Sequence, residues 1–347
     1  MNRRRFVHEM LAATATTLVT GASVPWIGPV RPSAASRVMT VRGWIDSSEM
    51  GITLPHEHAM ASFQPYAEWA AHPLAYDREE VVRVVLPRLK RLRDRGCRTF
   101  VDATASHLGR DPELLRRLSA DSGLHVLTVT GNYAAVENKF LPPHVFTESA
   151  ASLGRRWIRE WSDGIDGTGI RPGFIKLGFN GTPLSVVERK LIRAAALTHR
   201  ETGLTIGAHT GPSVAAFEQL AILERERVHP SAWIWIHAQN EPESAAHIAA
   251  ARRGAWIEFD GIDESLFEQH VGFVARMRDA GLLGHVLISQ DAGWYTIGRP
   301  GGGTARSYET LFTQFVPALR TRGFSDAEID TLLVRNPARA FAVSVRA

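Results

Sequence analysis

Eight short apolar runs recur along this chain, and amphipathic stretches separate most of them. The runs, which are the strand candidates, cover residues 51–59, 99–104, 125–133, 174–180, 204–210, 233–238, 255–261 and 286–291. Helical periodicity is found in residues 79–95, 112–122, 184–202, 213–228, 242–253 and 264–280. Strands that are apolar on both faces are typical of parallel sheets covered by helices. The alternation therefore predicts an α/β protein with a parallel (β/α)8 barrel.

Chain length agrees with one barrel. The chain has 347 residues, and barrels of this kind range from about 200 to more than about 400 residues. A doubly wound open sheet is the alternative, but no Gly-x-Gly-x-x-Gly motif follows an early strand. We therefore expect residues 36–347 to form a single catalytic-type domain.

The first 35 residues carry the pattern of an export signal. Three arginines, Arg3 to Arg5, precede an uncharged stretch over residues 10–30, and Ser33-Ala34-Ala35 follows it. This order is typical of a twin-arginine signal with an A-x-A-like cleavage site. Glycines and prolines in the stretch favour a cleaved signal over a permanent membrane helix. We expect a periplasmic or secreted protein with no stable membrane insertion after cleavage.

Charge and cysteine content argue against a nucleic-acid-binding protein and against a protein stabilised by internal disulfides. The formal net charge is +4, and four arginines against one glutamate in residues 1–35 account for +3, which leaves +1 for the rest. No dense Lys/Arg stripe interleaved with aromatic residues appears, so we expect no nucleic-acid partner. The one cysteine, Cys97, cannot form an internal disulfide. It adjoins an apolar run, and we expect it to pack there.

Ligand-type side chains lie at or near the ends of five strand candidates. His56 and His58 are two residues apart, so on a strand both imidazoles face the same way. Active sites of barrels form at the carboxyl ends of the strands. A single buried histidine is more often a core residue. Here ligand-type residues recur at or near the ends of five strands, where they would converge on one point, and this predicts one metal site. The later members of the set are Lys176, His209, His237 and Asp291.

Lys176 is unusual among these residues because an ammonium group repels metal ions. Burial disfavours its charged form, and a neutral lysine amine can react with carbon dioxide to give a carbamate. A carbamate is anionic and bidentate, so it can bridge two cations about 3.5–4 Å apart. Lys176 therefore predicts two metal ions.

Several motifs over residues 40–340 share the order and spacing of one known family. They are Gly51-Ile-Thr-Leu-Pro-His-Glu-His58, Phe174-Ile-Lys176, Ala208-His209-Thr210, His237, Ser289-Gln290-Asp291 and Asn336-Pro337-Ala338-Arg339. Together they resemble the phosphotriesterase family, including the phosphotriesterase-like lactonases, within the metal-dependent amidohydrolase superfamily.

The resemblance implies a dinuclear metal centre at the carboxyl ends of the strands. A bridging hydroxide would be the nucleophile, Asp291 would be the catalytic proton acceptor, and N6-carboxylated Lys176 would bridge both ions. Zinc is the expected metal, with manganese, cobalt and iron as alternatives. The implied ligands are His56, His58 and Asp291 on the more buried ion and His209 and His237 on the more exposed one.

Aromatic residues near the predicted site suggest how a substrate is held. Tyr133, Trp294 and Tyr295 are the expected substrate-binding residues. The resemblance implies this role for Tyr133, because the family places an aromatic residue there near the metals, and Trp294 and Tyr295 directly follow Asp291. His107 is a further candidate for supporting the site. An aromatic wall suits an apolar or partly apolar ligand.

Two segments differ from the family pattern. His237 is followed by Ala-Gln-Asn-Glu where the family usually has acidic residues. Asp260 is followed by Gly261 where lactonase-like members carry Asp-Arg, which removes a charge from the rim of the site. Asp260 remains a candidate for supporting the ligands.

We therefore expect an exported, metal-dependent hydrolase that cleaves lactones or carboxyl esters. The alternative is a phosphotriesterase that hydrolyses organophosphates, as an aryldialkylphosphatase does. An amide hydrolase or deaminase and a ligand-binding protein without turnover are less favoured. The expected partner is a small-molecule ester, and the family makes a homodimer plausible.

Overall fold

A computed structural model describes residues 36–180 and 183–347, so the predicted export signal lies outside the described residues. An antiparallel hairpin, β1 (Arg37–Thr40) and β2 (Gly43–Asp46), precedes the barrel. One turn of 3₁₀-helix over Ser47–Met50 then leads into β3 (Thr53–Ala61), the first barrel strand.

The remaining strands close a parallel ring. They are β4 (Thr99–Asp102), β5 (His125–Leu127), β6 (Val129–Thr130), β7 (Phe174–Gly178), β8 (Ile206–His209), β9 (Trp233–Ile236), β10 (Trp256–Phe259), β11 (Val286–Ile288) and β12 (Gly293–Thr296). β5 and β6, separated only by Thr128, occupy one position, and β11 and β12 occupy another. Consecutive positions pair in parallel, and β12 returns to β3. The predicted (β/α)8 barrel is confirmed.

Helices cover the outside of this ring. They are α1 (Tyr66–Ala71), α2 (Arg78–Asp94), α3 (Pro112–Ser122), α4 (His144–Thr147), α5 (Ala150–Asp163), α6 (Val186–Thr202), α7 (Ser213–Arg225), α8 (Ser244–Arg252), α9 (Phe267–Asp279), α10 (Val316–Thr321), α11 (Asp326–Asp330) and α12 (Asn336–Ala340). Within the described residues, none of the helices combines the length and the apolar character that a membrane span needs. The sequence pattern misses α5, because it buries only Leu153, Gly154 and Trp157 and is otherwise rich in arginine.

The barrel interior is apolar at its amino-terminal end and polar at its carboxyl end. Phe174 belongs to an inner cluster with Val101, Leu127, Ile234 and Leu287. Side chains on a strand alternate between faces, so Lys176 points into the same interior one layer above Phe174. The interior therefore presents the lysine amine at the end of the barrel where the histidines lie.

The seam between β3 and β11 is held by the buried carboxyl group of Glu57. Its Oε1 accepts hydrogen bonds from Ser289 Oγ at 2.8 Å and from the Gln290 amide at 3.1 Å. Its Oε2 accepts from the Ala292 amide at 2.7 Å. In addition, the Asp291 amide donates to the His56 carbonyl at 3.1 Å. Glu57 therefore fixes the register between the strand that carries the His-x-His pair and the segment that carries Asp291.

We expect Glu57→Ala to lower the free energy of unfolding by about 2–4 kcal/mol, because it leaves several buried donors without an acceptor. Equilibrium urea unfolding measures this loss. Glu68→Ala is the matched control, since Glu68 is exposed on α1, and it should change stability by less than about 0.5 kcal/mol. Equal stability of the two variants would show that Glu57 does not hold the seam.

Candidate metal centre

The structure brings all six predicted ligand residues together at the carboxyl end of the barrel. His58 Nε2 lies 3.0 Å from Asp291 Oδ1, and His56 Nε2 lies 3.2 Å from Lys176 Nζ. The rings of His209 and His237 are 4.3 Å apart between centroids. The rings of His56 and His237 are 5.1 Å apart, which joins the two groups of ligands into one cluster.

The backbone of His237 turns its side chain into this cluster. Ile234 and Ile236 face the barrel interior, so strict alternation along β9 would direct residue 237 away from it. His237 instead adopts a left-handed conformation with φ of +61° just after the strand ends. A left-handed non-glycine residue costs free energy and is found most often at functional sites.

The four histidines share one hydrogen-bonding pattern, in which Nδ1 contacts an oxygen and Nε2 is left for the centre of the site. The contacts are His56 Nδ1 to Asp260 Oδ2 at 2.8 Å, His58 Nδ1 to Thr104 Oγ1 at 2.8 Å, His209 Nδ1 to the Tyr133 hydroxyl at 2.9 Å, and His237 Nδ1 to Asp260 Oδ1 at 2.6 Å. Metal-binding histidines typically engage their second nitrogen in this way, which sets the tautomer and the ring orientation.

The contact between His58 and Asp291 fits a bound cation. Thr104 Oγ1 also donates a hydrogen bond to the Met60 carbonyl at 3.2 Å, so it accepts one from His58 Nδ1–H. Nε2 of His58 is then the nitrogen that faces Asp291 Oδ1. That carboxylate oxygen is buried. An imidazole nitrogen and a carboxylate oxygen that face each other in this way are both ligand atoms that a divalent cation accepts.

Donor atoms of His56, His58 and Asp291 lie within 4.8 Å of one another, as a single ion requires. Nitrogen and carboxylate oxygen ligands suit zinc and several other first-row divalent metals. His209 and His237 offer a second pair of imidazoles beside this group. The residues present therefore fit a metal centre with two halves.

The surroundings of Lys176 favour the neutral form of its amine. Its side chain is buried, and burial lowers the pKa of Lys176 against the opposing effect of the carboxylates of Glu258, Asp260 and Asp291. Its Nζ lies 3.2 Å from His56 Nε2, at the centre of the ligand cluster. The neutral form of a lysine amine is the one that reacts with carbon dioxide, so burial acts in the direction that carbamate formation requires.

Asp260 supports the ligands of both halves. Besides the two Nδ1 contacts, it accepts hydrogen bonds from the His237 amide at 3.1 Å and from Gln239 Nε2 at 2.7 Å. The positions of His56, His237 and Asp260 would also allow all three to bind one ion. Because both oxygens of Asp260 are already engaged, we assign it to orienting the two histidines.

Glu258 is a residue of the site that the sequence analysis misses. Its Oε1 lies 3.0 Å from His56 Nδ1, and burial together with the negative charge of Asp260 raises the pKa of Glu258 well above its usual range. Contacts with His237 and His56 outweigh burial and lower the pKa of Asp260. The two shifts run in opposite directions, so Glu258 is the more readily protonated of the two carboxyl groups. Its signal in the sequence is the spacing of two between Glu258 and Asp260 on a barrel strand.

Trp294 and Phe63 form an aromatic wall beside the ligands. The Trp294 ring lies 4.3 Å from the ring of His58 and stacks on Phe63 at 5.2 Å, both measured between centroids. Trp294 Nε1 donates to the Asp291 carbonyl at 2.8 Å, which fixes the indole. Phe63 is 47% exposed, so the wall continues to the protein surface. Phe63 was not among the sequence-based candidates.

The other two aromatic candidates occupy different places. Tyr133 lies at the site, but its hydroxyl is bonded to His209, so it orients that ring. Tyr295 is buried beneath the site, where its hydroxyl donates to Glu80 Oε1 on α2 at 3.0 Å. We therefore remove Tyr295 from the candidate substrate-binding residues, because its side chain faces the helix layer.

A cavity of about 810 Å³ extends beside the ligand cluster, over the ends of β3, β4 and β6. It contains none of the six ligand residues, and Ser106, His107, Asn132 and Trp157 are among its lining residues. His107 therefore faces this cavity rather than the ligands, and it packs edge-on against Trp69 with ring centroids 5.0 Å apart.

Comparison with known proteins agrees with this geometry. The model of the phosphotriesterase family matches residues 36–341. The chain is 30% identical over 298 residues to the phosphotriesterase homology protein of Escherichia coli K12, covering 84% of this chain and 98% of that protein. It is 24% identical over 345 residues to the human N-acetyltaurine hydrolase, covering 88% and 97%. The solved structure of the organophosphorus hydrolase from Deinococcus radiodurans superposes with a TM-score of 0.79 at 27% identity, covering 90% and 100%. The chain therefore belongs to the phosphotriesterase family.

Proposed function

We propose that this protein is a metal-dependent hydrolase that cleaves a lactone or carboxyl ester in a small molecule. The observation that carries the proposal is the arrangement of four imidazoles, each with Nδ1 engaged and Nε2 left for a ligand, around Asp291 and Lys176. Such a set suits a bound metal, because each imidazole has one nitrogen held by an oxygen and the other directed at the centre. Membership in a family of hydrolases supports the same class of reaction.

In this proposal His56, His58 and Asp291 hold the deeper ion, and His209 and His237 hold the outer one. Carboxylated Lys176 would link the two. When bound, the metals would supply hydroxide near neutral pH and polarise the substrate carbonyl.

The side chains of the chain itself have three tasks. Asp291 is a buried carboxylate beside His58 Nε2, so its side chain is placed to accept the proton that the nucleophile loses. Asp260 keeps two imidazoles in place through its two oxygens. Trp294 and Phe63 offer an apolar surface that excludes water from one side of the substrate.

Two other bond types are open to the same centre. The organophosphorus hydrolase from Deinococcus radiodurans supports phosphotriesters as the second candidate. The human relative is named for the hydrolysis of an amide, N-acetyltaurine, which makes an amide the third candidate. The three classes share the hydroxide nucleophile. Phosphotriesters differ from esters in the electrophilic atom, which is phosphorus, and amides differ from esters in the leaving group, which is an amine.

A substrate panel separates these candidates. The purified protein, with its metal content measured, is assayed with lactones, 4-nitrophenyl carboxyl esters, paraoxon-type phosphotriesters and N-acetyl amides. We expect the highest kcat/KM with a lactone or carboxyl ester, loss of turnover after chelation, and recovery after divalent metal is restored. A preference for amides or phosphotriesters would replace the ester proposal, and turnover that persists without metal would contradict the metal-dependent mechanism.

A further inference from the structure

Position 261, in the loop after β10, has no room for a side chain unless its neighbours move. A Cβ atom at Gly261 would lie 2.9 Å from Gln239 Nε2 and 3.1 Å from His270 Nε2. Gln239 is held by Asp260, and His270 is buried on α9. Both neighbours are fixed, so an arginine at position 261 would require them to move.

A different element brings a cation to this rim. The backbone of Arg306, in the segment after β12, forms an antiparallel bridge with Gly293, and Gly293 pairs in turn with His58. The Arg306 guanidinium donates from Nη1 to the Asp291 carbonyl at 3.0 Å. Arg306 is therefore anchored beside the metal ligands at both its backbone and its side chain.

The same guanidinium reaches across to the loop after β10. Its Nη2 lies 3.5 Å from Asp263 Oδ2, which is longer than a hydrogen bond. The other oxygen of Asp263 accepts from Ser265 and Leu266, so Asp263 is held by its own loop. Arg306 thus lies between the loops that follow β12 and β10, on the side where the sequence lacks the family arginine.

Arg306 retains capacity to bind an anion. A guanidinium carries five N–H donors, and among the described residues one of them makes a hydrogen bond, to the Asp291 carbonyl. The side chain is 42% exposed. Its planar fork matches the two oxygens of a carboxylate. The contact at 3.5 Å neutralises Asp263 only in part, and an incoming carboxylate can compete with it.

We propose that Arg306 recognises a free carboxylate at the end of the substrate remote from the bond that is cleaved. The substrate is then an anionic ester, with its carbonyl at the metal centre and its carboxylate at the rim. This inference rests on the proposed ester hydrolysis and adds the charge of the preferred substrate. It makes Arg306 a specificity-determining residue.

Two substrates that share the same glutarate chain and differ in the charge of its terminal group test the proposal. Mono-4-nitrophenyl glutarate ends in a carboxylate, and its methyl ester ends in a neutral group. We expect wild-type protein to prefer the anionic member, and we expect Arg306→Ala to lower the ratio of the two kcat/KM values at least about 10-fold, chiefly through KM, as for the loss of one charge-assisted hydrogen bond. Arg306→Lys should restore part of the ratio. Arg322→Ala, which removes an exposed arginine on another face, should leave the ratio unchanged.

A binding measurement keeps this test independent of turnover. Calorimetric titration of the metal-loaded protein with glutarate and with monomethyl glutarate should show tighter binding of the dicarboxylate, and Arg306→Ala should remove the difference. An unchanged ratio and unchanged binding in Arg306→Ala would overturn the role of Arg306. Absence of turnover with both esters, together with intact selectivity in binding, would instead contradict the ester hydrolysis.

Discussion

Asp291→Asn is expected to lower the rate of ester hydrolysis by about 10²–10⁴-fold, the usual contribution of a positioned proton acceptor. The substitution keeps the shape of the side chain but replaces one oxygen with an NH₂ group, which can neither accept a proton nor bind a metal through a lone pair. The effect is large because Asp291 Oδ1 is buried, faces His58 Nε2 at 3.0 Å and has no donor of its own in the described part of the chain.

The measurement is kcat with the best substrate of the panel, accompanied by metal analysis of the same sample. Asp279→Asn is the matched control, because Asp279 lies at the exposed end of α9, and it should retain the wild-type rate. If Asp291→Asn turned over substrate as fast as the control, Asp291 would not be the proton acceptor. A protein with full metal and reduced kcat would separate the catalytic role from the ligand role.

Lys176→Ala is expected to weaken metal binding by more than about 100-fold, since removing a partner outside the ligand shell already costs about 10–100-fold. Activity should fall with the metal content. The reason is that, among the described residues, the buried amine of Lys176 has a hydrogen-bond partner only in His56, which is itself a predicted ligand, so the proposed role of Lys176 is that of a precursor of an anionic bridge.

Short carboxylic acids such as formate or propionate should restore part of both metal content and rate in Lys176→Ala, because they supply the missing anionic bidentate group. Lys90→Ala is the control, since Lys90 is exposed on α2. A Lys176→Ala protein that kept both its metals and its rate would contradict the bridging role. Loss of metal without any rescue would show that Lys176 matters for the fold of the site instead.

The main architecture and the ligand cluster follow from the sequence because both depend on short-range regularities. Apolar runs at barrel strands alternate with amphipathic helices, and the spacing of two between His56 and His58 translates directly into a shared face. The ends of the predicted strands differ from the observed ones by a few residues. β12 is absent from the prediction because it begins at Gly293, after a turn that interrupts the apolar run of β11.

The aromatic wall of Trp294 and Phe63 could not be predicted from the alternation of side chains along a strand. Asp291 and Trp294 have left-handed backbones, with φ of +49° and +71°, and each such residue breaks the alternation of side chains. Trp294 and Tyr295 are adjacent on β12, so their side chains point to opposite faces, and the turn before the strand decides that Trp294 lines the site while Tyr295 packs against α2. Phe63 and Arg306 come from loops, and only the three-dimensional path of the chain brings them to the rim.

Asp260 lies at the end of a single strand and yet contacts one histidine from each half of the centre. Any displacement of the end of β10 therefore moves both imidazoles at once, and the two halves behave mechanically as one unit. This has a consequence for the evolution of specificity in the chain. Changes at the end of β10 act on both halves of the centre through Asp260, whereas Arg306 contacts the Asp291 carbonyl, so substitutions of its side chain leave the contacts of Asp260 with both imidazoles in place.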